Sequence, residues 1–149
     1  MAASDPQKVI SVTRFVPAPA QAIFDLLADP AMHAVIDGSG TVKNARSDAP
    51  KRLSLGAQFG MDMKIGLPYK ITNEVVEFEE ARRIAWRHFG GHVWRYILEP
   101  AEGGTQVTEQ FDWNTSKAEA LLELTGAMGR NKNSIRATLE RMAKHFGET

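Results

Sequence analysis

Cysteine is absent from all 149 residues of this chain. That absence removes a disulfide framework, a thiolate nucleophile and any zinc site built on thiolates. Charge of one sign is missing as well, because 18 basic residues balance 18 acidic ones. A protein that tracks phosphates concentrates positive charge, whereas Lys51-Arg52 and Arg82-Arg83 are short, separated pairs. Nucleic acid is therefore not the expected partner. Near neutrality lowers solubility around neutral pH and allows self-association, so an oligomer is compatible with the composition.

Long apolar runs are missing too. No stretch reaches the roughly 18 consecutive apolar residues of a membrane-spanning helix, and Met1 to Lys8 lacks the apolar core of a secretion signal. The expectation is a cytoplasmic protein. There is no Gly-x-Ser-x-Gly elbow, Walker loop or dinucleotide glycine fingerprint, and Gly38-Ser39-Gly40 on its own is a turn. His33 and Asp37 lie four apart on a helix, a spacing able to clasp a metal. Two ligands are too few, and no third is identifiable. Neither a metal nor a cofactor is expected.

What remains is the composition of a globular domain. Apolar residues make up 43% and charged residues 24%, enough to bury a sizeable core in one domain over 1–149. Lys8 to Val16 alternates and is rich in β-branched residues, which marks a strand. Pro17-Ala18-Pro19 ends it and starts a helix, with Pro19 suited to the first turn and Ile23, Phe24 and Leu27 forming its apolar stripe. Asp29 caps a second, shorter helix with Pro30 at its first position, and Gly38 stops it. Strands follow at Thr41–Arg46, Ala57–Ile65, Tyr69–Phe78 after a Gly66-Leu67-Pro68 turn, Arg83–Phe89, His92–Glu99 and Thr105–Trp113. Short turns without intervening helices imply an antiparallel meander.

The last element is a long helix from about Ser116 to Phe146. Ser116-Lys117-Ala118-Glu119 matches a capping box, and Gly147 stands as its stop. Leu121, Leu124, Met128, Ile135, Leu139, Met142 and Phe146 recur at helical spacing, so the helix needs a sheet to cover. The order is strand, two helices, six strands, long helix.

That order resembles the START-like (SRPBCC) helix-grip superfamily, which includes polyketide cyclase/dehydrase and lipid-transport proteins. The residues carrying the likeness are Pro17-Ala-Pro-Ala-Gln-Ala-Ile-Phe24, Ala28-Asp-Pro30, Leu98-Glu-Pro100, Gly103-Gly-Thr-Gln-Val-Thr108 and Asp112-Trp113. One departure is Met32-His-Ala-Val-Ile36, where relatives often carry a Trp. The resemblance implies an α+β fold, a curved antiparallel sheet of about seven strands around the terminal helix, and an interior cavity for hydrophobic ligands. Fold does not dictate reaction.

Three groups of residues could line such a cavity. If the Arg83–Glu99 hairpin turns through Phe89-Gly90-Gly91, His88 faces His92, Trp86 faces Trp94 and Ile84 faces Tyr96. The aromatics then share one face, and Arg83, Arg87, Arg95 and Glu99 the other. A two-residue Gly-Gly loop would mix the faces, so burial favours the first register. The aromatic wall serves either a flat ligand or plain core packing, with both histidines solvated at the hairpin tip. Glu109 sits among Val107, Phe111 and Trp113 on the apolar face of the last strand. It is either desolvated and fit for proton exchange or turned to a rim or an Arg. A three-residue turn at Glu80-Ala81-Arg82 would set Glu74 beside His88. Asn131 and Lys132 interrupt the helix stripe, with Gly126 and Gly129 nearby, which marks either close packing or a polar contact in the cavity.

The leading expectation is non-covalent binding of a small hydrophobic molecule, aromatic, polyketide-like or acyl, in a pocket of ~300–1,000 Å³. Met61, Met63 and Met128 would supply adaptable walls. Trp86, Trp94, Tyr96 and Phe111 would supply shape, and His88, Glu109 and Asn131 orientation. A cofactor-independent cyclase or dehydratase using His88 with Glu74 or Glu109 is the enzymatic alternative. A protein-interaction module is the third, and it would show an exposed apolar patch instead of an enclosed pocket.

Overall fold

The computed structural model describes residues 8–37, 42–45, 50–65, 67–88, 91–115 and 127–147; for 42–45, 61–65, 67–71 and 127–130 the description is of the backbone. Its elements run β1 (Val9–Val16), α1 (Ala20–Leu27), α2 (Pro30–Ile36), β2 (Val42–Ala45), β3 (Gln58–Ile65), β4 (Leu67–Glu79), β5 (Arg83–His88), β6 (Val93–Ala101), β7 (Gly104–Asp112) and α3 (Ala127–His145). Among the described residues, seven strands form one antiparallel sheet in the order β1-β7-β6-β5-β4-β3-β2. The last strand closes back beside the first. α3 lies on β1 and β7 and touches α2. This is the α+β helix-grip architecture expected from the order of elements.

Local chemistry explains the connections. Pro19 is the N-cap of α1, one position before the expected first turn, because its extended ψ of 147° places it outside the helix. Asp29 caps α2 by accepting the Ala31 N–H at 3.0 Å, and Pro30 opens the helix. β4 begins at Leu67, earlier than the expected Tyr69, with Pro68 inside it opposite Lys64. β5 pairs only with Asn73 to Glu79, so at Pro68 the strand has β3 as its neighbour and an absent N–H is tolerated. The Glu80-Ala81-Arg82 turn puts Ala81 at φ +58°, and the Arg82 N–H donates to the Glu79 carbonyl at 3.0 Å. The capping box at 116–119, Leu121, Leu124 and the glycines at 38, 66, 90 and 126 lie outside the described residues.

The core is the inner face of the sheet under the helices. Val16, Ile23, Phe24, Leu27, Ile84, Val107, Ile135, Leu139 and Met142 are fully buried, so the helical stripe and the strand alternation meet as expected. The opposite face of the sheet carries an ion network. Arg95 bonds Glu77 at 2.7 Å and reaches Asp112 at 3.3 Å, while Arg83 adds a 3.1 Å contact to Glu77. Burial pushes the Glu77 carboxyl up, but hydrogen bonds and charge from Arg95 and Arg83 hold it below its ordinary value. α3 ends at His145, and Gly147 two residues on has a φ of +96° that suits a C-terminal stop.

At Gly104 the β1 and β7 backbones approach closely. A Cβ there would stand 2.2 Å from the Val16 carbonyl oxygen and 2.8 Å from Phe15 Cζ. The first neighbour is backbone and cannot turn away. Gly104→Ala is expected to lower unfolding free energy by about 1–3 kcal/mol, the usual cost of overpacking. Urea denaturation followed by circular dichroism measures it; an unchanged midpoint would contradict the close approach.

Candidate functional site

Cross-strand register builds the inner face in rungs. Ile84, Tyr96, Glu109 and Val12 stand opposite one another across β5, β6, β7 and β1. The next rung is Val75, Trp86, Trp94, Phe111 and Ile10. Beyond it come Asn73, His88 and His92, the last two joined by a backbone hydrogen bond of 2.9 Å. The hairpin therefore has the register that pairs Trp86 with Trp94, and the arginines fall on the other face. A one-residue slip would have exchanged the two sets.

The rings pack against one another. Trp94 and Phe111 centroids lie 4.7 Å apart and Phe111 and Trp113 5.9 Å. Trp86 meets Tyr96 at 5.7 Å and is covered by His33 of α2, stacked at 4.7 Å. His33 is buried, with Nε2 2.8 Å from the Leu27 carbonyl oxygen. Burial lowers its pKa, the Leu27 hydrogen bond and the charges of Asp29 and Asp37 opposing. His33 is thus a packing residue, and among the described residues no group of three metal-ligating side chains forms.

Glu109 is 3% exposed, and its Oε1 has no hydrogen-bond partner among the described residues. It bonds instead through the carboxyl to Tyr96, its direct cross-strand neighbour. Burial pushes its pKa up to about 8; the Tyr96 hydrogen bond opposes this and the charge of Asp37 adds to it. Tyr96 is raised well above its usual value by burial and by Glu109. Glu109 does not lie at a solvent rim, and among the described residues no arginine bonds it. Trp113 Nε1, just past the end of β7, is a second buried polar atom without a partner among the described residues.

At the hairpin end the two histidines are stacked at 4.4 Å with planes 12° apart, and His92 lies 5.0 Å from Phe111. Both are half-buried. Burial lowers His88; burial and then the charge of His88 push His92 down to about 4.

Glu74 requires correction. It stands opposite Arg87 on the exposed face, and Asn73 faces His88. The three-residue turn is as expected, but a bulge between Val75 and Glu77 inserts one residue and reverses the facing of everything before it. Asn73, buried at 4%, was missed for that reason. On α3, Asn131 is half-buried while Lys132 is exposed, and Thr138, also missed, is buried at 6%. Its place in the Ile135–Leu139–Met142 stripe was the available signal. The side chains of Met61, Met63 and Met128 lie outside the described residues.

A curved sheet gripping a helix, with rings and one buried carboxyl on the inner face, defines the START-like ligand-binding fold. The chain belongs to the polyketide cyclase/dehydrase and lipid-transport family, whose model matches residues 7–147. It is 36% identical over 137 residues to the protein Rv0088 of Mycobacterium tuberculosis, covering 88% of this chain but 61% of that one. The chain thus spans about three fifths of the length of that relative. Among solved structures it resembles protein CV1439 from Chromobacterium violaceum (TM-score 0.69, 15% identity, 96% of this chain and 99% of that one). It also resembles the AHSA1-like protein from Aeromonas hydrophila (TM-score 0.62, 21% identity, 95% and 99%). These likenesses are of fold. Among the described residues no helix is long and apolar enough to cross a membrane.

The Glu109 carboxyl has a signature in stability. Below its ordinary pKa of 4.5 folded and unfolded chains both hold the proton. Between 4.5 and about 8 only the unfolded chain releases it, so this group makes stability fall as pH rises through that window, and the loss is constant above. Glu109→Gln is expected to remove this component, gaining stability over wild type as pH goes from 5 to 8.5. Urea melts across that range test it; parallel curves would place the carboxyl's pKa near normal.

Proposed function

We propose that this chain, as one domain, binds a small, mostly apolar ligand, aromatic or acyl, between the inner face of the sheet and α3. One observation carries the reading: a fully buried carboxyl with an orphan oxygen stands on a face otherwise made of rings. A protein that needed this face only for packing would gain from an apolar residue there, since an unsatisfied buried polar atom costs about 1–3 kcal/mol. A bound polar group would remove that cost. Trp86, Trp94, Tyr96 and Phe111 supply flat, rigid contact surface, Asn131 and His88 offer further polar contacts, and the family's link to lipid transport agrees. Carrying, sensing or sequestering follows from binding without chemistry.

A second reading is favoured by the same carboxyl. An acid that keeps its proton to about pH 8 can donate it to a departing hydroxyl, as a dehydratase requires. His88 is the candidate base. It lies two rungs from Glu109, roughly 13 Å along the sheet at ~3.3 Å per residue, so a substrate touched by both would be extended. Turnover would then show a bell-shaped pH profile, lost in His88→Ala.

Native mass spectrometry of freshly purified protein is expected to show a co-purified small molecule. Independently, N-phenyl-1-naphthylamine should bind saturably with enhanced fluorescence. Trp94→Ala should weaken it about tenfold, equal to ~1.4 kcal/mol, while Arg87→Ala on the outer face leaves it unchanged. Absence of saturable binding would end the reading.

A further inference from the structure

The charge around Glu109 narrows the ligand. Among the described residues the influences on this carboxyl are burial, the Tyr96 hydrogen bond and Asp37, so the one formal charge from those residues that acts on it is negative. Asp37 follows α2, and its backbone carbonyl accepts from Arg141 Nη1 at 3.0 Å, which orients that guanidinium nitrogen to the backbone. Arg14 belongs to this face by register but stands opposite Val107, one rung away, and is not among the groups acting on Glu109. His33 of α2 is held at the Leu27 carbonyl, and His88 and His92 lie two rungs off with their charged forms disfavoured by burial. From α3 the described buried polar group is the neutral Thr138, with the half-buried amide of Asn131 further along.

We propose that the Glu109–Tyr96 end of the site accepts a neutral hydroxyl group and excludes a carboxylate, so that the ligand is a phenol or alcohol and not a free acid. The proposal rests on the binding reading above and narrows its ligand class. A hydroxyl is both donor and acceptor, so it satisfies the orphan Oε1 whether or not that oxygen carries the proton. A carboxylate would share Glu109's proton at best. The pair would still hold a net negative charge out of water, under the charge of Asp37 and with no cation acting on Glu109 among the described residues, and an unpaired buried ion is expensive. An ammonium would need Glu109 to ionise, forming a buried ion pair whose desolvation offsets its attraction. The hydroxyl alone restores the missing hydrogen bond without moving a charge.

Equilibrium dialysis of the full chain at pH 7 with naphthalene, 2-naphthol, 2-naphthoate and 2-naphthylmethylamine separates these cases. The naphthol is expected to bind about tenfold more tightly than naphthalene, the gain of one well-placed hydrogen bond near 1.4 kcal/mol. Naphthoate is expected to bind at least tenfold more weakly than naphthalene, and the amine more weakly than the naphthol. In Glu109→Leu, with folding checked by circular dichroism, naphthalene should still bind and the naphthol advantage should vanish. Naphthoate or the amine matching the naphthol overturns the proposal, as does a naphthol advantage that survives in Glu109→Leu. The wild-type series decides the question even if that variant fails to fold. Naphthalene binding without discrimination removes this proposal alone; no binding by any of the four removes the binding reading with it.

Discussion

The pairing of Trp86 with Trp94 across β5 and β6 is the constraint on which the rest depends. Side chains alternate with a period of two, so one register decides which residues look toward α3 and which look away. With this one, Tyr96 meets Glu109 and Phe111 meets Trp94 on the inside. Arg87 and Arg95 go outside, where Arg95 finds Glu77, Gln110 and Asp112. The two faces enforce one another. Moving the strand by one residue would bury the arginines and strand the carboxylates at the same time, and either alone would cost several kcal/mol.

That same register creates an expensive feature of the interior. Glu109 is carried inside because Val107 and Phe111 on either side of it must be buried. The sheet cannot turn out a single residue without a bulge, and β7 pairs without interruption on both sides. The carboxyl responds by retaining its proton and bonding to Tyr96. Charge is thereby kept out of the rings while hydrogen-bonding capacity stays in. An interior of this kind is apolar in its electrostatics and polar in its geometry.

Most of the architecture could be read from the chain because it is written in local chemistry. Asp29-Pro30 starts α2 whatever surrounds it, since a cap and a proline act on their own turn. The alternation of Val9 to Val16 and the stripe Ile135–Leu139–Met142 announce their faces directly. Glu109 could be singled out because it breaks an apolar alternation, and the aromatic hairpin because only one of two registers separates rings from arginines. His33 gave no such signal. A lone histidine on a short helix does not reveal that an indole will lie against it at 4.7 Å.

By itself, then, the sequence determined the order of elements, the Asp29-Pro30 start of α2 and the inward faces of the strands with uninterrupted alternation. Tertiary structure alone decided three things: that Glu74 would yield its place beside His88 to Asn73, that Glu109 would be buried and bonded to Tyr96, and that the charge of Asp37 would act on it. The physical reason is the same for all three. A bulge leaves no local mark on the residues it displaces, and the field at a buried atom is the sum over elements distant in the chain. Periodicity reports which side a residue faces; what it meets there depends on how those elements come together.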